Sequence, residues 1–120
     1  MKIARLSNSA LEKILKGKTK EPASCVIKFY SNACHFCKAL KGVYEEVAGS
    51  FDGVHFFAFN VDEYPGDLTK KIPIEGVPSI AFIQTGRSTK VSLLEDPIDT
   101  DETTWYTAQH INDFIGENVR

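Results

Sequence analysis

The hydrophobic residues of this chain follow two patterns, continuous runs and helical stripes. Residues 25–30, 54–61 and 79–84 are apolar-rich runs without polar alternation, which is typical of strands buried on both faces of a sheet. Apolar residues recur three or four positions apart over 11–15, 40–51 and 105–115, and this spacing predicts three amphipathic helices. Residues 3–6 add a short candidate strand, and Thr85–Ser88 predicts a hairpin turn into a strand over 89–94.

The order of these elements predicts an α/β fold. The strand, helix and strand over residues 25–61 form a βαβ unit, so the two strands should be parallel. Ser9 followed by Glu12 resembles a capping box that opens the first helix, and the last helix should begin near Thr103. Residues 68–71 have room for one helical turn, and residues 95–102 form an acidic loop. We therefore expect a central mixed sheet, with a βαβ half and an antiparallel hairpin half, flanked by helices on both faces.

Size and charge limit the partners and the compartment. The 120 residues are 42% hydrophobic and 25% charged, as in soluble globular domains, and the net charge of −2 gives no reason to expect nucleic acid or a membrane as partner. The first six residues lack a signal-peptide pattern and no stretch is apolar enough to span a bilayer. We expect a cytoplasmic protein, where thiols are kept reduced. Three cysteines are too few, and odd in number, for a structural disulfide framework.

The candidate chemistry lies in Cys34-His35-Phe36-Cys37, which begins three residues after a strongly apolar strand (Cys25 to Ser31) and opens a helix. The thiolate is the reactive form of cysteine, whose free pKa is about 8.5. Unpaired N–H groups and the helix dipole favour an anion at Cys34, which we interpret as the nucleophile. Cys37 lies one turn further in and can resolve a mixed disulfide by attacking Cys34. Two such cysteines beside a βαβ unit are typical of a redox motif.

Together with the rest of the chain, these residues resemble the thioredoxin and protein-disulfide-isomerase class of thioredoxin-fold proteins. The similarity covers roughly residues 26–90 and includes F-Y-S-N-A-C-x-x-C-K, N-V-D-E-Y-P-G and E-G-V-P-S-I. The resemblance implies a single thioredoxin-like domain over residues 1–120. It also implies a cis peptide bond between Val77 and Pro78, with this proline against the active-site cysteines. The substrate groove would then be formed by Ala33, Phe36, Val77 and Pro78.

Several positions depart from the family pattern. Ala33 stands where the family usually has tryptophan, Gly42 where it has a helix-kinking proline, and Leu94 where it has a glycine that contacts partners. The family's buried acidic residue falls on Lys28, and the lysine that accompanies it falls on Ala58. These replacements affect the expected tuning and partner recognition more than the disulfide chemistry.

Two of the substituted positions allow alternative interpretations. Lys28 either acts as a proton carrier or thiolate stabiliser near Cys37, with a lowered pKa, or packs its stem while its amine reaches water or a carboxylate. His35 either provides a second cation near the Cys34 thiolate or is solvent-exposed and without effect. Phe36 is uncharged and is expected to form part of a hydrophobic docking surface.

The remaining candidates are interpreted as structural. Cys25 is expected to be an inert apolar residue within its strand, and His55 and His110 are expected to be surface or packing residues. Trp105 and Phe114 are assigned to the core face of the last helix. Metal binding by Cys34, Cys37 and a histidine is disfavoured because no second ligand pair is present.

The resulting expectation is a cytoplasmic protein-disulfide reductase without a cofactor other than the redox-active Cys34–Cys37 pair. Its expected partners are disulfide-containing proteins and a thioredoxin reductase or a small thiol, and it is expected to be a monomer. Two alternatives remain. One is an oxidase or isomerase of more oxidising potential. The other is a binding subunit in which redox activity is dispensable. The acidic loop either selects basic partners or only solubilises the surface.

Overall fold

The computed structural model describes residues 3–16, 22–64, 72, 74, 76–86, 89–95 and 105–119. The secondary structure is, in chain order, β1 (Ala4–Arg5), α1 (Asn8–Leu15), β2 (Ser24–Tyr30), α2 (His35–Ala48), β3 (Val54–Asn60), a short 3-10 turn (Val61–Glu63), β4 (Ser79–Gln84), β5 (Lys90–Leu93) and α3 (Ala108–Asn118).

The five strands form one mixed sheet in the order β1-β3-β2-β4-β5. β1, β3 and β2 run parallel, and β4 pairs antiparallel with both β2 and β5. The βαβ half and the antiparallel half predicted from the sequence are therefore confirmed. β2 lies at the centre because its run of apolar residues is buried on both faces.

Two hydrophobic cores cover the two faces of this sheet. The first, which we call the α2 core, joins Val26 of β2 to Leu40 and Val47 of α2 and to buried residues of α3. The second, which we call the α1 core, joins Ile27 and other β2 residues to buried residues of α1. Successive β2 side chains enter opposite cores, as strand geometry requires, so helices lie on both faces as predicted.

The predicted starts of the first and last helices are wrong. α1 is capped by Ser7, whose side chain accepts the Ala10 N–H, rather than by Ser9. α3 begins at Ala108 instead of near Thr103, because Thr107 provides the cap. The Thr107 hydroxyl accepts the His110 N–H at 3.2 Å, and His110 Nδ1 accepts the Thr107 N–H at 3.5 Å. His110 thus completes a capping box, a role that its spacing from Thr107 could have revealed.

β3 and α2 both end earlier than the sequence pattern predicts. β3 ends at Asn60 because the Asn60 side chain accepts the Asp62 N–H and turns the chain into the 3-10 turn. α2 ends at Ala48, although Phe51 still packs against the α2 core as its spacing predicted. The predicted helical turn at 68–71, residues 96–102 of the acidic loop, and Arg87 and Ser88 of the hairpin lie outside the described residues. Within the described ranges no helix is both long and apolar enough to cross a membrane.

Candidate active site

Cys34 lies at the junction between β2 and α2, the end of the central strand. Its N–H donates to the Ser31 carbonyl at 3.3 Å, which closes the turn after β2. Cys34 is the N-cap of α2, and its Sγ accepts the N–H of Cys37 at 3.1 Å. A sulfur in this position takes the place of the side-chain oxygen in an ordinary helix cap. The N–H of Cys37 in the first turn of α2 therefore faces this sulfur.

Cys34 and Cys37 form a disulfide with a Cα–Cα distance of 5.2 Å. The two sulfurs differ in accessibility because Cys37 lies on the inward face of the first helical turn. Cys37 is 3% exposed, whereas Cys34 is half-buried. An external molecule can therefore approach Cys34 more readily than Cys37.

The loop before Cys34 is held by a network of polar side chains that the sequence did not reveal. The Asn32 N–H donates to Asp62 Oδ2 at 2.8 Å, and Asn60 Nδ2 donates to Asn32 Oδ1 at 2.9 Å. Asn60 is itself buried at the end of β3. These contacts fix residues 31–33 to the carboxyl end of β3 and so position the start of α2. The N-V-D-E segment in the sequence was the only signal for this role.

Val77 and Pro78 directly precede β4 and lie at the end of the sheet where β2 leads into the active-site turn. The peptide bond between them is cis, the conformation that the resemblance implies. Because Ser79 pairs with Phe29 near the end of β2, the antiparallel register places Pro78 beside the strand end that leads to Cys34. Pro78 is buried, and the Tyr106 hydroxyl donates to its carbonyl at 3.5 Å. Val77 is half-buried and packs against the α1 core.

An aromatic cluster borders the disulfide on the helix side. The rings of His35 and Phe36 meet edge to face at 5.6 Å, and Phe36 contacts Trp105 with ring centroids 5.2 Å apart. Ala33 and His35 are exposed and Phe36 is half-buried. Trp105 lies before α3 with a φ of 70°. Its assignment to that helix is therefore wrong, although it does pack against the α2 core.

The Trp105 contact is the main site feature that sequence reasoning missed. Trp105 falls at a helical spacing from Ala108 and Ile111, and so it matched the stripe of the last helix. The Thr107 cap separates it from that helix. Trp105 instead adds a large ring beside the C-H-F-C segment, where Ala33 contributes almost no side chain.

Lys28 is buried within β2 and faces the same side of the sheet as α2. It is 6% exposed, and its Nζ lies 5.2 Å from the centroid of the Tyr44 ring and 5.7 Å from that of Tyr30. Burial lowers the pKa of the Lys28 ammonium below its ordinary value; Glu45 opposes this shift and Lys41 adds to it. Lys28 pairs with Ala58 across the β2–β3 ladder, so both replaced family positions are strand neighbours.

Lys28 and Cys37 line the same cavity beneath the first turns of α2. Among the described residues no carboxylate lies within 4 Å of the Lys28 ammonium. The interpretation in which this amine pairs with a carboxylate is therefore not supported there. Its stem packs within the sheet while the amine reaches the cavity.

The other singled-out residues lie away from this chemistry. Cys25 is buried, and desolvation raises the pKa of its thiol, which fits an inert strand residue. His55 is exposed and stacks on Phe57. The Leu94 N–H donates to the Ile80 carbonyl at 2.9 Å, and the Leu94 side chain packs against the α2 core. No cluster of three or more metal-binding side chains occurs in the part of the chain that the structure describes.

Comparison with curated proteins gives relatives of low identity. Thioredoxin-1 of Caenorhabditis elegans is 29% identical over 87 residues, which cover 72% of this chain and 72% of that protein. A probable protein disulfide-isomerase A6 of Medicago sativa is 34% identical over 64 residues, which cover 51% of this chain but 17% of that longer protein. Both matches are to proteins named for disulfide chemistry or thioredoxin.

Solved structures share the fold at still lower sequence identity. The Trx4 domain of ERdj5 matches with a TM-score of 0.73 and 21% identity, covering 98% of this chain and 96% of that one. Chloroplastic thioredoxin z matches with a TM-score of 0.67 and 22% identity, covering 98% and 94%. These likenesses show that the architecture is the thioredoxin fold.

The family assignment rests on a family-model match that spans most of the chain, together with the disulfide and the cis peptide bond of the site. The thioredoxin family model matches residues 2–104, a span that includes the Cys34–Cys37 disulfide and the cis peptide bond before Pro78. The chain therefore belongs to the thioredoxin family of thiol-disulfide oxidoreductases.

Proposed function

We propose that this protein is a cytoplasmic protein-disulfide reductase that uses Cys34 as nucleophile and Cys37 as resolving cysteine. The observation that carries the proposal is the unequal environment of the two sulfurs. Cys34 is partly accessible and accepts a helix N–H at 3.1 Å, whereas Cys37 is 3% exposed. The reducing direction follows from the cytoplasmic expectation, since that compartment keeps thiols reduced.

The proposed reaction transfers two electrons from the dithiol to a substrate disulfide. The Cys34 thiolate attacks one substrate sulfur, a Cys34–substrate disulfide forms, and the other substrate sulfur leaves and takes up a proton. Cys37 then loses its proton and attacks Cys34 Sγ, which releases the second substrate thiol and closes the Cys34–Cys37 disulfide. A thioredoxin reductase or a small thiol supplies two electrons and two protons to restore the dithiol.

The helix start favours the first step. In the reduced protein the Cys37 N–H would face a Cys34 thiolate rather than a disulfide sulfur. A hydrogen bond to a charged acceptor contributes about 1.5–3 kcal/mol, and the helix dipole adds about 0.3–1 kcal/mol. Both terms stabilise the thiolate relative to the thiol, and they also make Cys34 a better leaving sulfur when Cys37 attacks.

Lys28 and His35 are the proposed tuning residues. Lys28 shares a cavity with Cys37. Its neutral amine can accept the Cys37 proton and its ammonium can return it, or the ammonium can stabilise a Cys37 thiolate. His35 is exposed next to Cys34, so its proposed effect on the thiolate is a weaker, solvent-screened one. Lys28→Leu should change the pH dependence of disulfide exchange, and an unchanged profile in the folded variant would remove Lys28 from the mechanism.

The substrate groove is proposed to lie between the C-H-F-C segment and the Val77–Pro78 bond. Ala33 leaves one rim open, while the Phe36–Trp105 pair provides a hydrophobic wall on the other side. A disulfide-containing segment of a partner protein would dock against this wall and Val77. The open rim favours partners that differ from those of relatives with tryptophan before the first cysteine.

Trapping the mixed disulfide tests the assigned roles. Cys37→Ser should accumulate a covalent adduct with a disulfide-containing test protein such as insulin, because the resolving attack is lost. Cys34→Ser should form none, since the buried Cys37 cannot reach the substrate. Equal trapping by both variants would contradict the assignment of Cys34 as the nucleophile.

The direction of the reaction is tested by the Cys34–Cys37 equilibrium in defined glutathione buffers. A reduction potential near the value of about −270 mV typical of thioredoxin supports a reductase. A potential near −180 mV or above, roughly that of protein disulfide isomerase and more oxidising proteins, would instead support an oxidase or isomerase. The measurement needs only the wild-type protein, with the double Cys→Ser variant as a blank.

A second candidate function is a binding subunit in which the dithiol is dispensable. The aromatic wall of Phe36 and Trp105 beside an exposed Ala33 favours it, because this surface can dock a partner without any thiol exchange. A Cys34→Ser/Cys37→Ser variant that keeps full biological activity would decide for this function. Loss of that activity in the folded double variant would decide for the reductase.

A further inference from the structure

The cavity next to Cys37 has a charge that is opposite to that of the chain. It measures about 630 Å³ and is lined by alternate residues of β2 and β3, by residues in and next to β1, and by buried and exposed residues of the first half of α2. Four of its lining residues are cationic and one is acidic; these are Arg5, Lys28, Lys38, Lys41 and Glu45. The chain as a whole has a net charge of −2. A recess lined by one sign of charge concentrates counter-ions of the other sign.

Among the described residues, Lys28 at the floor of this cavity forms no ion pair within 4 Å. The residue is 94% buried, since only 6% of its surface is exposed. Its ammonium is held over the faces of Tyr30 and Tyr44, and no carboxylate of the described residues lies within 4 Å. A buried charge is costly unless it is paired. Aromatic faces offset only part of that cost.

The polar groups around Lys28 do not supply the missing partner. Arg5 is engaged with Glu63 at 3.3 Å on the exposed side. Asn60 uses its amide to bond Asn32 and the Asp62 N–H. Glu45, although it lines the cavity, is exposed and lies beyond ion-pair distance of Lys28. Within the described part of the chain, the lysine donors of the cavity are therefore available to a molecule from solution.

We propose that this cavity binds a small multivalent oxyanion, with Lys28 at its floor and Lys38 and Lys41 at its mouth. Lysine ammoniums act as point charges toward phosphate and carboxylate groups. A single anion placed among them would pair the buried charge and offset the mutual repulsion of three cations. The volume suffices for inorganic phosphate and for small organic anions.

The site would also be linked to the redox state, and this part rests on the proposed function. Cys37 lines the same cavity, so a Cys37 thiolate and a bound oxyanion would compete for the Lys28 ammonium. The oxidised protein has no such thiolate and should bind the anion more tightly. By linkage, the anion should then shift the Cys34–Cys37 equilibrium toward the disulfide by the same factor.

The test is titration of the oxidised protein with inorganic phosphate at constant ionic strength, with chloride as the balancing ion. Binding is measured by isothermal calorimetry and, separately, by the shift in thermal unfolding. Saturable binding with a raised Tm is expected. Lys28→Met keeps an unbranched side chain of similar size but removes the ammonium, and it should weaken binding at least tenfold. The matched control is Lys13→Met on exposed α1, which should leave binding unchanged. Succinate, titrated in the same way, distinguishes carboxylate from phosphate ligands.

Three results would overturn the proposal: no saturable binding of either anion, binding that Lys28→Met leaves intact, or an equal loss in Lys13→Met. If Lys28→Met fails to fold, Lys41→Met replaces it and should weaken binding severalfold. The Cys34→Ser/Cys37→Ser variant separates the two proposals, since it should still bind phosphate. Binding by this variant together with an inactive wild type would refute the reductase and retain the anion site.

Discussion

Gly42 offers a direct test of how the active-site helix is stabilised. It is the eighth of the fourteen residues of α2, on an exposed face, and a Cβ built there would meet no atom within 4 Å. The substitution Gly42→Ala therefore adds a methyl group without a clash. It removes backbone freedom from the unfolded chain and leaves the helix geometry unchanged. Relatives with a kinking proline at this position would bend here, whereas this chain has an uninterrupted helix over His35–Ala48.

The expected gain follows from helix propensity alone. Glycine in a helix interior is about 1 kcal/mol less favourable than alanine, which corresponds to about a fivefold change in the folding equilibrium. The unfolding entropy is about 2.1 cal/mol/K per residue. For 120 residues a gain of about 1 kcal/mol should therefore raise the Tm by about 4 °C.

The assay is urea and thermal unfolding of the oxidised protein, with Gly53→Ala as the matched control. A Cβ at Gly53 also meets no atom within 4 Å, but Gly53 has a φ of 78°, a conformation that costs alanine about 1–2 kcal/mol. The two variants should therefore shift stability in opposite directions. Shifts of the same sign would refute this reasoning. A stabilised Gly42→Ala variant with impaired disulfide reduction would show instead that exchange requires bending of α2.

Three further predictions concern buried groups. Tyr44→Phe should lower the free energy of unfolding by about 1–2 kcal/mol in urea titrations, because the single Tyr44 hydroxyl proton is shared between the Phe57 carbonyl at 2.7 Å and the Val26 carbonyl at 3.0 Å; an unchanged midpoint would contradict this. Cys25 should resist alkylation in the native oxidised protein and react only after unfolding, since it is 4% exposed and burial raises its pKa; rapid native labelling by mass spectrometry would argue otherwise. Lys28 has a pKa lowered in the fold, so between this lowered pKa and the unfolded value the native state binds fewer protons than the unfolded state. The free energy of unfolding of the wild type should therefore rise as the pH increases from the lowered pKa toward about 10.4. Lys28→Met should lose that rise when unfolding is compared at neutral and alkaline pH, and a parallel dependence in both proteins would refute the assignment.

The parts of the fold that could be predicted are those with one dominant physical cause. The continuous apolar run of β2 can be buried only at the centre of a sheet, and its connection through a helix to β3 requires parallel strands. The first residue of a helix is harder to predict, because more than one short polar residue near the helix start can serve as the N-cap. Ser7 and Ser9 both precede the stripe of α1, and only the structure shows that Ser7 accepts the Ala10 N–H.

The parts of the site that could not be predicted depend on contacts between distant segments. Trp105 has the spacing of a helix-core residue, yet the Thr107 cap leaves it against Phe36, far away in the sequence. The Asn32–Asn60–Asp62 network likewise joins a turn to the end of another strand. Neither contact produces a hydrophobic periodicity in the sequence, because each depends on one side chain contacting another from a distant segment.

Lys28 shows why the same residue can be noticed in the sequence and still be interpreted incompletely. A lysine inside an apolar run indicates a buried cation, but its consequences depend on what else faces the same space. The structure shows that this space is a cavity with Cys37 on its wall and three more cationic residues around it. Under the two proposals, an ammonium so placed would stabilise whichever anion is present, a Cys37 thiolate after reduction or an oxyanion from solution. If both proposals hold, the anion and the thiolate compete, and the concentration of the anion sets how readily the dithiol forms.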